Sequence, residues 1–195
     1  MTLLLKLSQL IDSLNERIGK AAFWLVLLMT IISAGNAVVR FAFDYSSNGL
    51  LEIQWYLFAA IFLTCSAYTL QKNEHVRIDV LSGKLSPRGL AVIDIIGTLF
   101  FLLPMVGLVL WLSLPIVAES YKIGEMSANA GGLIRWPVKT LLPFGFTLLA
   151  LQGISELIKR IAFLAGLIGD PNAKEGGPSA EQELAAEIAA MAKEK

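Results

Sequence analysis

LAVIDIIGTLFFLLPMVGLVLWLSLPIVA, residues 90–118, decides the fold: 29 consecutive residues with Asp94 as the one charged side chain. A helix rises about 1.5 Å per residue and a bilayer hydrocarbon core is about 30 Å thick, so about 20 apolar residues cross it. This stretch crosses with length to spare for tilt or projection. Ser86 and Pro87 stand in front of it as a cap residue and a proline at the first helical position, where the missing N–H costs nothing. Pro104 and Pro115 are expected to bend it.

Three further apolar stretches, 21–39, 49–70 and 138–158, have comparable length, with polar or charged connections between them. Lipid offers no partner for backbone N–H and C=O groups, and no alternating barrel pattern is present, so the expectation is an all-α integral membrane protein. The spans are expected near 21–43, 49–70, 87–118 and 137–160. Hydrophobic residues make up 55% of the 195 and charged residues 16%, against about 25% in soluble domains.

The 16 basic and 16 acidic residues cancel without forming a basic run, which gives no case for nucleic-acid binding. Cys65 is the single cysteine and lies within the second span, which excludes intramolecular disulfides and thiolate clusters. His75 is the single histidine, so haem held by two histidines and a Ser/His/Asp or Cys/His constellation have no support. A phosphate-cradling glycine loop with its lysine is also missing. The reading is of a non-catalytic protein that carries no cofactor of its own.

Residues 1–20 place Leu3, Leu7, Leu10, Ile11, Leu14 and Ile18 at helical spacing, opposite Lys6, Asp12, Glu16 and Arg17. They read as an amphipathic helix on the cytoplasmic membrane face, a contact with membrane lipids. With the N-terminus inside, twelve Lys and Arg fall in inner segments and four, Arg40, Lys122, Arg135 and Lys139, in outer ones. Translocation disfavours basic loops, so both termini are expected in the cytoplasm. The membrane domain is expected over 21–169, its outer loop between the third and fourth spans irregular, followed by a tail at 170–195 that is disordered or a short helix.

Ionisable residues inside spans are functional candidates by default. Glu52 lies near the outer end of the second span, beside Trp55, and pairing with Arg40 or with a partner's cation competes with ion transport. Asp94 is expected near the inner headgroups or indirectly linked to Arg88, and Glu156 precedes Lys159 and Arg160 at the spacing of helix ion pairs. Small residues for helix association are Ser33 and Ala37 in the first span, Ala60, Thr64 and Ala67 in the second, and Gly145 and Gly153 in the last. Pro143 is expected to bend the start of the last helix.

Three fragments carry a resemblance. They are EIQWYLF at 52–58, YTLQKNEHVRIDVL at 68–81, and Trp136-Pro137 with Lys139, Pro143-Phe144-Gly145-Phe146 and residues 148–152. Together they resemble the small membrane subunit of tripartite ATP-independent periplasmic (TRAP) transporters over about residues 15–165. The resemblance implies a static scaffold subunit in a bacterial inner membrane. A large membrane subunit would carry the sodium and substrate sites, and a periplasmic binding protein would deliver an organic acid. It makes Glu52, Trp55, His75, Arg77, Asp79, Pro143 and Gly145 candidate structural or interface residues. Two other readings keep the fold: a small homo-oligomeric transporter or channel with Glu52 or Asp94 in an ion path, and a membrane anchor for a respiratory or signalling complex.

Overall fold

The computed structural model describes residues 2–45, 47–74 and 86–171. They form α1 (Thr2–Phe43), α2 (Asn48–Gln71), α3 (Pro87–Gly97), a π-helical turn (Thr98–Leu102), α4 (Leu103–Lys122) and α5 (Trp136–Leu164). Because α3, the π turn and α4 run on without a break, four helices are long and apolar enough to cross a membrane. Among the described residues there is no β-strand, only an isolated bridge.

Local chemistry accounts for most boundaries. Ser86 Oγ accepts from the Gly89 N–H at 3.2 Å and Pro87 opens α3, the cap read from the sequence. The third span widens where Pro104 approaches: the Leu103 N–H donates to the Thr98 carbonyl, five residues back. A proline ring collides with the carbonyl four residues earlier, and one extra residue in the preceding turn relieves that collision. Pro115 and Pro143 instead sit inside helices that continue through them.

Helix α5 is the hub, packing against α1, α2, α3, the π turn and α4, while α1 also packs on α2. Its buried residues, Pro143, Gly145, Leu148, Gln152, Gly153, Ser155, Glu156, Arg160 and Ala162, face several neighbours. Glycines set the approach. A Cβ on Gly145 would lie 2.7 Å from the Leu63 carbonyl oxygen, one on Gly19 2.6 Å from the Tyr68 ring, and one on Gly153 2.7 Å from Leu102. In lipid, helices are drawn together by such close packing rather than by hydrophobic expulsion, so the large side chains are free to face outward. Trp24, Phe41, Trp55, Phe100, Phe101 and Trp111 do so.

One expectation changes. The leader is not a separate helix, because α1 is unbroken from Thr2 to Phe43, and Gly19 within it is held against Tyr68. Thr64, Ala67, Gly145 and Gly153 are buried as small-residue contacts, while Ser33 and Ala37 lie on the exposed surface of α1.

Candidate functional site

Glu52 enters the second span one turn into α2 and is 1% exposed. A carboxylate there needs donors, and the loop between α4 and α5 supplies them. Ser127 Oγ and Asn129 Nδ2 donate to Oε1, the latter at 2.9 Å, and the Leu133 backbone N–H donates to Oε2 at 2.7 Å. Arg135 Nη2 stands 3.9 Å from Oε1 and also donates to Ser127 Oγ at 3.1 Å. Arg40, one of the pairings weighed from the sequence, is exposed on α1; the cation beside Glu52 is Arg135 of the loop.

The loop is more ordered than a run of Gly, Ser and Asn suggests. Met126 and Ile134 form an antiparallel bridge, the Ser127 N–H donates to the Leu133 carbonyl at 2.9 Å, and the Arg135 N–H donates to the Glu125 carbonyl at 2.8 Å. Gly124 and Gly131 take φ of 60° and 69°, the left-handed region that glycine adopts without a Cβ penalty. Gly132 lets the tip close on the carboxylate, since a Cβ there would lie 2.5 Å from Ser127 Cβ and 2.9 Å from Glu52 Oε1. Asn48 Nδ2 donates to the Ala130 carbonyl at 2.9 Å and Tyr56 Oη to the Ile134 carbonyl at 3.0 Å, so α2 holds the hairpin at three levels. At its base Lys139 donates to Glu125 and, with Ser120 and Arg135, holds that carboxyl below the ordinary carboxylate range.

A second polar layer lies near the opposite end of α2. Asp12 of α1 accepts from Ser155 Oγ at 2.7 Å, Gln152 Nε2 at 2.8 Å and Lys159 Nζ at 3.1 Å. Asn15 Nδ2 donates to Gln152 Oε1 at 2.7 Å, and the Ser8 and Ser155 hydroxyls share a bond of 2.7 Å. Glu156 pairs with Lys159 at 2.5 Å and Arg160 at 3.5 Å, the local pairs read from the spacing. Asp94 Oδ2 lies 2.9 Å from Arg160 Nε, tying α3 to α5.

The remaining candidates divide. Pro143 and Gly145 are buried on α5, whereas Trp55, in the N-terminal third of α2, is 61% exposed. His75, Arg77 and Asp79 lie outside the described residues. Ser127, Asn129, Gly132 and Arg135 carry no local signal that couples them to Glu52. Ser8, Asp12 and Asn15 form a polar stripe at helical spacing, as Gln152, Ser155 and Lys159 do on α5, but periodicity alone does not say that the two stripes face each other. Among the described residues, no group of three or more His, Cys, Asp and Glu is arranged to hold a metal ion. Both Glu52 oxygens are engaged by donors, an arrangement that fixes a loop to a helix.

A family model for tripartite ATP-independent periplasmic transporters, DctQ component, matches residues 22–163. A Haemophilus influenzae protein named "Putative TRAP transporter small permease protein" is 28% identical over 90 residues, which cover 46% of this chain and 56% of that protein. No solved structure gives a significant match. With four apolar helices long enough to span a membrane and a family match from α1 to the last turn of α5, the chain belongs to the DctQ-component family of tripartite ATP-independent periplasmic transporters.

Proposed function

We propose that this chain is the small permease subunit of a TRAP-type secondary transporter and acts as its static scaffold. It sits in a bacterial inner membrane with both termini in the cytoplasm. A large membrane subunit carries the sodium and substrate sites, moves against this scaffold, and takes an organic acid from a periplasmic binding protein. One observation carries the reading: among the described residues, the buried charged side chains Glu52, Glu156 and Arg160 are all paired inside the chain. Charges so occupied stabilise one arrangement of helices and offer no ligand to a passing ion. Family membership supplies the transport context.

The test is uptake against sodium concentration, normalised to assembled complex, for the wild type, Glu52→Gln and Asp79→Asn. A carboxamide at position 52 turns an NH2 group toward donors that need an acceptor, so less complex or a lower maximal rate is expected, with unchanged sodium dependence. A changed apparent sodium affinity or Hill coefficient with assembly intact would put this subunit in the ion path. Uptake by the purified chain alone would favour a self-contained transporter.

A further inference from the structure

The polar seam fixes how the first turns of α1 are rotated, and that rotation leaves a leucine face uncovered. At about 100° per residue, Ser8, Ile11, Asp12 and Asn15 share one sector of the helix, the sector held against α5. Leu3, Leu7, Leu10 and Leu14 fall in a different sector about 60° wide, roughly 120° around from the seam. They are 78%, 45%, 70% and 44% exposed. Lys6, Arg17 and Lys20 occupy the adjoining sector, all exposed, while Asp12 is turned into the seam and Glu16 is engaged by Lys20 at 2.8 Å. Along the helix the leucine sector continues through Ala21, Leu25 and Leu28 into the apolar surface of the span. The 42 residues of α1 measure about 63 Å, twice the hydrocarbon thickness, so one end must leave the acyl region.

We propose that the first four turns of α1 form an anionic-phospholipid docking surface, with the leucines in the acyl boundary on the N-terminal side of the bilayer and Lys6 and Arg17 on the headgroup phosphates. Three observations select lipid as the occupant. The stripe is continuous with the exposed apolar surface of the span, the charges flanking it are basic, and its orientation is locked by bonds to α5 rather than free to turn inward. Leucine beside cations on a helix of fixed rotation is the pattern of an interfacial segment, here braced from behind by its own protein. The inference is independent of the transport reading, because it rests only on the seam and the two exposed sectors.

The experiment places a fluorophore at Leu10→Cys or at Ser13→Cys, both in Cys65→Ala, with the full chain in nanodiscs of phosphatidylethanolamine alone or mixed with phosphatidylglycerol. Ser13 is exposed on the basic side of the helix. At position 10, lipids with a nitroxide high on the acyl chain should quench several-fold more than iodide does, and at position 13 the order should reverse. Native mass spectrometry should show phosphatidylglycerol retained in preference to phosphatidylethanolamine, with the preference lost in the double variant Lys6→Gln, Arg17→Gln. Equal iodide quenching at both positions would overturn the proposal. So would retention without lipid preference, or a position-10 probe shielded from lipid by a protein partner when the membrane complex is purified whole.

Discussion

Substituting Gly145 by alanine tests whether α2 and α5 are held at backbone contact. The added Cβ would lie 2.7 Å from both Leu63 Cβ and the Leu63 carbonyl oxygen, and 2.9 Å from its carbonyl carbon. Carbon atoms pack best at about 3.5–4.0 Å, so the helices must part by roughly 1 Å. Two of the three atoms are backbone, which no rotamer change can remove. Overpacking of this kind costs about 1–3 kcal/mol, while alanine gains about 0.8–1.0 kcal/mol over glycine in a helix interior. Gly107→Ala isolates the clash, because nothing lies within 4 Å of a Cβ at Gly107. Both variants share the propensity gain, so their difference, about 1–3 kcal/mol, is the clash alone. Reversible unfolding in mixed micelles of rising SDS fraction, followed by tryptophan fluorescence, measures it. If Gly145→Ala unfolds no earlier than Gly107→Ala, the close approach of α2 and α5 is wrong.

Gln152→Leu should destabilise the chain by about 1–3 kcal/mol in the same assay, since the Asn15 carboxamide, 1% exposed, loses its acceptor and Asp12 loses a donor. Exposure of a proteolytic site in the leader at lower SDS than in wild type would trace the loss to the seam. Single cysteines in Cys65→Ala should react with an impermeant thiol reagent in intact cells at Ser47 and Ala128 and stay unreactive at Ser13, as the charge bias requires. Labelling at Ser13 would reverse the topology.

The spans were legible because length and apolarity in lipid leave one solution, and the Ser86-Pro87 start because capping is local chemistry. The buried seam was hidden for a definite reason. Hydropathy periodicity separates a polar face from an apolar one but not a face turned to water from one turned to another polar helix. Asp12 was therefore read on the solvent side when it accepts from Gln152, Ser155 and Lys159. Leu3 and Leu10, read as the side turned to the membrane, are left open by the rest of the chain. Glu52 stood out as an ionisable residue in a span, yet its donors lie 75 to 81 positions further along the chain, and no local pattern joins them. Pro104 announced a disturbance in the third span, and it takes the form of a wider turn rather than the bend expected.

That wider turn has a bearing on phase. On the third span Ala91 is buried and Thr98 lies 3.6 Å from a Cβ placed on Gly153 of α5 below, while Val106, Ser113 and Ser120 are the buried residues above. These positions recur every seventh residue except across the π turn, where the step from Thr98 to Val106 is eight. One residue is worth about 100° of rotation, so on an uninterrupted α-helix the upper three would point about a quarter-turn away from α5. The π turn absorbs the surplus residue and brings both halves back onto one line. A single-residue insertion is thereby carried inside a membrane span with no loop to house it, and the two heptad frames of this helix keep a common neighbour although their sequences are out of step.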